Sequence, residues 1–178
     1  MTDPVRRVER ERLDSLQRLW TPWRMAYIAD PDRQISGCPF CVLPDSGDDR
    51  ESLIVTRRRL CYAILNAFPY NPGHLMIVPF RHLSAYTELR PEELHEMADL
   101  SQRAVRALAD ASGPDAYNLG WNVGAVAGAG IADHIHQHVV PRWDGDTNFM
   151  PVVGQTRVLP ELLEETYERL RPIFAQAR

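Results

Sequence analysis

Three histidines at alternating positions constrain the fold of this chain more than any other feature. They are His134, His136 and His138, in the segment GAGIADHIHQHVVPRW over residues 128–143. Successive side chains of a β-strand point to opposite faces, so a strand over 134–140 places all three imidazoles on one face and residues 135, 137 and 139 on the other. A lone histidine is usually structural, but neighbouring imidazoles repel one another when protonated and need partners when buried. Such a cluster is typical of metal coordination, of catalysis, or of both.

The rest of the chain predicts short strands joined by tight turns. The strand candidates are LCYAILNAF and HLMIVPF, separated by PYNPG, and AYNLGWNV and HIHQHVV, joined by GAVAGAG. Between the two pairs, Pro91 opens a helix over 91–111 and Gly113 ends it. Further helices are predicted over 5–19 and 160–171. We therefore expect an α+β domain with an antiparallel sheet of about five strands, one long helix and a C-terminal helix.

Apolar periodicity assigns a buried face to each of the two later helices. The face predicted for the 91–111 helix consists of Leu94, Met97, Ala98, Ser101, Val105 and Leu108. The face predicted for the 160–171 helix consists of Leu163, Tyr167 and Leu170.

Composition excludes several classes of protein. The chain has 178 residues, which is enough for one domain with a sizeable core. Its formal net charge of −4 argues against a nucleic-acid surface, which usually carries a basic stripe. No apolar run approaches the roughly 18 residues that span a bilayer, and the first twenty residues lack the apolar stretch of a secretory signal. The sequence therefore predicts a cytoplasmic protein that binds neither nucleic acid nor membranes.

Two of the three cysteines indicate a metal site or a redox pair. Cys38 and Cys41 form a C-x-x-C pair in GCPFCVL, whereas Cys61 lies in the apolar run LCYAIL and is most simply a small buried hydrophobe. An odd number of cysteines without an export signal disfavours a disulfide framework. No thioredoxin-like βαβ pattern surrounds the pair, which favours a metal half-site.

A glycine-rich segment, NVGAVAGAG, precedes the histidines. Glycines let backbone N–H groups approach an anion closely. The segment contains no lysine and is therefore not a P-loop. Alone it predicts a flexible hairpin loop, and beside three histidines it predicts a phosphate site.

These motifs together resemble the histidine-triad family of nucleotide hydrolases and transferases. The family signature is His-φ-His-φ-His-φ-φ, with φ hydrophobic, and this chain departs from it at Gln137. LNAFPYNPGHLMIVPFRHLSAYTEL resembles the family's strand–turn–strand unit with its Pro-Gly-His turn, and YNLGWNVGAVAGAG resembles its Asn-x-Gly segment and phosphate loop. The resemblance implies a HIT-like domain over 35–142, flanked by an N-terminal extension over 1–34 and a C-terminal extension with a helix over 143–178.

The phosphate loop also departs from many hydrolases of the family. They have Ala-Gly-Gln-Thr before the triad, whereas this chain has AGAGI over 127–131 and one extra residue between Asn122 and His134. With LWTPWRMAYI and PRWDGDTNF at its ends, the chain resembles a bacterial branch that includes diadenosine tetraphosphate phosphorylases. This implies phosphorolysis of diadenosine tetraphosphate (Ap4A) to ADP and ATP, with adenine nucleotides and inorganic phosphate as partners. The alternatives are a hydrolase of dinucleoside polyphosphates or adenosine phosphoramidates, a nucleotide-binding protein without turnover, and a zinc-dependent structural module.

The same resemblance implies a role for each candidate site residue. His136 attacks the α-phosphate and becomes nucleotidylated, and His138 hydrogen-bonds phosphate oxygens or assists the leaving group. Neutral imidazole is a competent nucleophile near pH 7, and a covalent intermediate divides a slow reaction into two steps. His74 supports the site through a hydrogen bond, and Asn66 binds the ribose hydroxyls, although Asn66 is also a typical turn residue. The remaining predicted nucleotide contacts are Asn122, Gly128, Ala129 and Gly130.

The resemblance also completes the metal site. Some bacterial members of the family join two histidines to the cysteine pair, which here implies one structural zinc per chain with the ligands Cys38, Cys41, His82 and His134. His134 then braces the catalytic strand and takes no direct part in the reaction. The alternative is two reduced, buried cysteines with His82 as an exposed turn residue. No organic cofactor is expected, and the family implies a homodimer that uses the long helix and a sheet edge.

Overall fold

A computed structural model describes residues 37–146 and 161–176. Its elements in chain order are helix α1 (Pro39–Asp45), strands β1 (Ile54–Arg57), β2 (Cys61–Leu65) and β3 (Leu75–Pro79), helix α2 (Pro91–Ser112), strands β4 (Ala116–Trp121) and β5 (Gln137–Arg142), and helix α3 (Leu163–Gln176). Within these residues the strands form one antiparallel sheet in the order β1-β2-β3-β5-β4. The predicted α+β architecture, with one long helix and a C-terminal helix, is confirmed.

Strand β5 lies between β3 and β4, and its register positions the histidines. His138 is opposite Met76 of β3 and opposite Gly120 of β4. A slip of one residue would turn every side chain of β5 to the other face. The buried neighbours on both faces make such a slip costly, so the register is well specified.

Strands β2 and β3 are covered on both faces of the sheet. On one face α2 and α3 pack against residues that include Ile135 and Val139, and α3 contributes Leu170 to this core. On the other face Phe40 of α1 packs with a smaller cluster that includes Tyr62 and Met76. All residues of β2 and β3 are buried, as expected for strands between two packed layers. Cys61 is among them, as predicted.

Helix α2 agrees with its predicted bounds within one residue. Pro91 is in its first turn, the Glu93 carboxylate accepts a hydrogen bond of 2.8 Å from the Arg90 N–H, and Gly113 ends the helix with a φ of 55°. Its buried face agrees with the prediction except at Ala98, and it is wider than predicted. Met97, Ser101 and Leu108 are buried as predicted, and Leu94 and Val105 are partly buried against the core. Ala98 is exposed, and the buried face also includes Leu100, Ala104 and Ala107, which were not predicted.

Other element boundaries correct the sequence predictions. Helix α1 and the short edge strand β1 were not predicted, and β5 begins at Gln137 and not at 134. Helix α3 begins at Leu163 and continues past Pro172, which lies exposed on the helix surface. The predicted helix over 5–19, the segment LWTPWRMAYI and the first residue of the helix predicted over 160–171 lie outside the described residues. The boundaries of the two extensions therefore stay predictions. Among the described helices, none is long and apolar enough to cross a bilayer.

Candidate active site and metal centre

The structure brings the three histidines to one face of the sheet, although two of them precede β5. The backbone N–H of Ile135 donates to the carbonyl of Leu83 at 2.7 Å, which holds the segment before the strand. Ile135 and Val139 point toward the helices, and the histidines point the other way. His134 and His136 are buried, whereas His138 is half-buried.

The ring of His136 is held in a single tautomer. Its Nδ1 lies 2.9 Å from the backbone carbonyl of His134, and because a carbonyl only accepts, Nδ1 carries the proton. Nε2 therefore presents a lone pair. Burial lowers the pKa of His136 below its ordinary value, which favours the neutral form that can act as a nucleophile.

His138 is held in the opposite tautomer by a chain of hydrogen bonds through His74. The backbone N–H of Tyr70 donates to Nδ1 of His74 at 3.1 Å, so the His74 proton must be on Nε2. That Nε2 lies 2.9 Å from Nδ1 of His138. His138 accepts at Nδ1, and its own proton is therefore on Nε2.

The two neighbouring imidazoles are thus prepared for different tasks. Their ring centroids are 5.0 Å apart. His136 offers a lone pair and His138 offers an N–H group. A lone pair on one side chain beside an N–H group on its neighbour is typical of sites in which a nucleophile attacks and a second group assists.

The predicted nucleotide contacts lie around this pair of histidines. Some of them already make hydrogen bonds within the protein. The Asn122 side-chain amide is 3.5 Å from Nε2 of His138. In the glycine-rich loop the N–H groups of Gly128 and Ala129 donate to carbonyls of the loop itself, Ala125 and Gly124. These two amides therefore stabilise the loop in the structure. Gly130 is exposed, and a Cβ there would meet no atom within 4 Å.

Asn66 takes part in the turn after β2. Its Oδ1 accepts the N–H of Phe68 at 2.9 Å, and its Nδ2 lies 3.4 Å from Nδ1 of His74. The turn geometry predicted as the alternative is thus present. An amide oxygen has two lone pairs, so Oδ1 can still accept a second hydrogen bond.

The four predicted metal ligands come together from distant parts of the chain. One ligand atom of each of Cys38, Cys41, His82 and His134 lies within 4.8 Å of the others. Nδ1 of His134 is 3.3 Å from Sγ of Cys38 and 3.5 Å from Sγ of Cys41, and Nδ1 of His82 is 3.3 Å from Sγ of Cys41. His82 is exposed, and yet its ring faces the cysteines.

The chemistry of these donors fits a tetrahedral metal ion. Bonds of about 2.3 Å to sulfur and 2.0 Å to nitrogen give S···N edges of about 3.5 Å in a tetrahedron, close to the distances found. Nε2 of His134 donates to the carbonyl of Pro79 at 2.9 Å, which leaves the Nδ1 lone pair directed at the sulfurs. Burial raises the pKa of Cys41 to about 11, with a further contribution from Cys38. A divalent cation would reverse this and favour thiolates, since metal binding releases the thiol protons.

Aromatic side chains lie around the histidines, and two of them, Tyr62 and Tyr70, were missed by the sequence reasoning. Phe40 lies between the two cysteines in sequence, and its side chain is buried. Its ring centroid is 4.9 Å from that of His136 and 5.5 Å from that of His134. Its carbonyl accepts the hydroxyl of Tyr62 at 2.7 Å. The ring of Tyr70 stacks on His138 at 5.9 Å. The tyrosines in LCYAIL and PYNPG were the available signal, but their contacts depend on the folded chain.

Fold and site together define a histidine-triad domain, in which an α+β sheet presents alternating histidines beside a glycine-rich loop. The HIT domain profile matches residues 48–145. The AP-4-A phosphorylase of Mycobacterium tuberculosis is 44% identical over 170 residues, covering 92% of this chain and 87% of that protein. The chain therefore belongs to the HIT family.

Solved structures of the family have the same fold. A Zn-bound histidine triad family protein from Mycobacterium smegmatis superposes with a TM-score of 0.64 at 28% identity, covering 79% of this chain and 94% of that chain. A histidine triad nucleotide-binding protein from Sulfolobus tokodaii gives a TM-score of 0.64 at 26% identity, with 78% and 92% coverage.

Proposed function

We propose that the protein is a nucleotidyltransferase that cleaves Ap4A by phosphorolysis through a nucleotidyl-His136 intermediate. The opposite tautomers of His136 and His138 carry this proposal, because they place a nucleophile and a hydrogen-bond donor side by side. The similarity to the M. tuberculosis AP-4-A phosphorylase over 92% of the chain supports the choice of substrate and reaction.

In the first step, Nε2 of His136 forms a bond to the α-phosphorus of Ap4A. The bond between that phosphorus and the bridging oxygen breaks, and ATP leaves with its oxygen hydrogen-bonded to the Nε2–H of His138. The carbonyl of His134 stabilises the positive charge that develops on the ring of His136, since the Nδ1–H points at it. In the second step, inorganic phosphate attacks the same phosphorus, ADP is formed, and His136 is regenerated.

The glycine-rich loop supports phosphate as the second acceptor. Small residues at 128–130 leave open space, since a Cβ at Gly128 or Gly130 would meet nothing within 4 Å. We assign the Gly130 amide and the Asn122 side chain to the phosphate oxygens, together with His138, while Gly128 and Ala129 shape the loop. A phosphate held there would outcompete water, because positioning alone can contribute several kcal/mol. Asn66 is the proposed ribose contact, through the second lone pair of Oδ1.

The metal cluster would hold one zinc ion per chain in a structural role. Cys38, Cys41, His82 and His134 are a complete Cys₂His₂ set, which is typical of closed structural sites. When bound, zinc would supply a rigid cross-link between α1, the segment after β3 and the segment before β5. His134 then positions the carbonyl that fixes the tautomer of His136.

A homodimer is proposed from the edge of the sheet. Exposed large apolar side chains lie on or near β4, namely Tyr86, Leu119 and Val123, and an unpaired strand edge offers backbone groups to a second strand. The cytoplasmic location stays a prediction from the sequence.

The deciding experiment incubates the protein with Ap4A, with and without inorganic phosphate, and identifies the nucleotides formed. We expect ADP and ATP, only when phosphate is present. AMP and ATP at a rate independent of phosphate would mean that the protein is a hydrolase. His136→Ala should abolish turnover and covalent labelling by Ap4A radiolabelled at its α-phosphates while leaving the circular dichroism spectrum unchanged; near-normal turnover would refute the covalent mechanism.

A further inference from the structure

A cleft of about 390 Å³ lies beside His138 on the face of the sheet that carries the histidines. Its floor is formed by β4 and β5, where Gly120 is opposite His138 and Asn118 is opposite Val140. Tyr70 forms a wall, and Arg142 lies at the far end. The volume is within the range of pockets that bind small organic ligands.

We propose that this cleft binds the leaving nucleotide, with its phosphate chain at the His138 end and its nucleoside at the Arg142 end. The inference rests on the proposed function and adds a second nucleotide subsite to the same centre. It assigns a role to β4 and to the end of β5.

The positions of Asn66 and His138 place the leaving nucleotide on the β4 side of the centre. In phosphoryl transfer the attacking and leaving groups lie roughly in line on opposite sides of the phosphorus. The proposed ribose contact, Asn66, follows β2, which lies on the β3 side of β5. Strand β4 lies on the other side of β5, and the N–H of His138 is between the two. The two nucleosides of the substrate are thereby separated across β5.

The length of the cleft leaves room for phosphates between the proton donor and a nucleoside. His138 and Arg142 are four residues apart on one strand, a separation of about 13 Å at roughly 3.3 Å per residue. Both side chains point to the same face because their spacing is even.

The lining at the far end suits a nucleoside better than a phosphate. Nε and Nη2 of Arg142 donate to the carboxylate of Asp146 at 2.6 and 2.7 Å, and Nη1 donates to Oδ1 of Asn118 at 2.7 Å. Its charge is therefore compensated and its plane is fixed. A guanidinium held by its edges presents a flat face on which an aromatic base can stack. The Asn118 amide group is exposed and can reach ribose hydroxyls.

A larger side chain in place of Gly120 can fill the cleft without straining the backbone. A Cβ on this residue would meet no heavy atom within 4 Å, and its φ is not in the left-handed region. Valine is also well tolerated in strands. Gly120→Val should therefore fold and place its methyl groups in the cleft, next to His138.

The test compares two substrates that share the adenylyl group and differ in the leaving group. Ap4A releases ATP, whereas adenosine 5′-phosphorimidazolide releases only imidazole. The measured quantity is the ratio of kcat/KM for Ap4A to kcat/KM for the phosphorimidazolide. We expect Gly120→Val to lower this ratio fivefold or more, and Thr56→Val, at the opposite edge of the sheet, to leave it at the wild-type value.

A smaller fall in the ratio for Gly120→Val, whether both rates decrease together or neither does, would overturn the proposal. Should Gly120→Val not fold, Asn118→Ala gives the same test, with a threefold or greater fall expected and a smaller one overturning the proposal. If the wild-type protein cleaves neither substrate, the proposed function itself fails, which is a distinct outcome.

Discussion

Removing the metal should destabilise the protein, and the loss of free energy can be calculated from the length of the chain loops that the four ligands close. Cys38 and His134 are 96 residues apart, and Cys41 and His82 are 41 residues apart. A cross-link that closes a loop of about 100 residues stabilises the folded state by about 4–5 kcal/mol in the chain-entropy model. Structural zinc binding is coupled to folding in the same way.

The expected change in melting temperature follows from this free energy. For a domain of this size each kcal/mol corresponds to about 2–4 °C. Chelation should therefore lower the Tm by roughly 8–20 °C, and added zinc should restore it.

The assay is thermal unfolding of the purified protein with and without a chelator, together with elemental analysis for zinc. A protein carrying Cys38→Ser and Cys41→Ser should melt at the temperature of the chelated wild type and should not respond to chelator. Cys61→Ala is the matched control, because this buried cysteine lies outside the cluster. It should lose some stability and keep the full response to chelator.

Two results would refute the reasoning. One is the absence of zinc from protein purified without chelator. The other is a wild-type Tm that is indifferent to chelator.

Three further predictions concern single residues. His138→Ala should lower kcat by about 10²–10⁴-fold, the usual contribution of a proton-donating group, without eliminating turnover; full activity in steady-state assays would contradict its role. His74→Leu should lower kcat through loss of the His138 tautomer, and His74→Gln, which keeps a donor and an acceptor, should restore part of it; equal kcat values for the two variants would contradict the hydrogen-bond chain. The Arg81 guanidinium holds the pKa of the buried Glu93 carboxyl below its usual range, so its stabilising contribution is present above about pH 4.5 and is lost as the pH falls toward the lowered pKa. Urea unfolding should therefore show a deficit for Glu93→Gln at pH 7 that shrinks toward pH 3, and a deficit independent of pH would contradict the ion pair.

The parts of the fold that could be predicted from sequence are those with a strong local signal. Alternation around His136 predicted that the histidines share a face, and Pro91 and Gly113 predicted the long helix almost to the residue. Strand β1 has only four residues and is polar at one end, so its periodicity is weak. Helix α1 contains two prolines and is only about two turns long. It packs through Phe40 onto the opposite face of the sheet, a tertiary contact that no local pattern indicates.

The site was predictable in its residues but not in its proton positions. The spacing of Cys38 and Cys41 and the resemblance to the family identified four ligands that the structure places together. The tautomers of His136 and His138 depend on a carbonyl and on a backbone N–H four residues before His74. Such bonds involve the main chain, whose groups are the same at every position, and therefore leave no signature in the sequence.

The departure at Gln137 shows how one unusual residue is compensated by another. Its side chain points to the helix face, where the family signature has a hydrophobic residue and an unpaired amide would cost free energy. Oε1 of Gln137 lies 2.6 Å from Oγ of Ser101, which is itself 2.7 Å from the carbonyl of Met97. The hydroxyl has one proton, which can go to only one of these oxygens. With the Gln137 amide turned so that its NH₂ group donates to Oγ, the hydroxyl proton goes to Met97 and both side chains are satisfied. The polar position in the strand is thus matched by Ser101, a polar residue on the apolar face of α2, and the pair joins the segment between the two reacting histidines to the long helix.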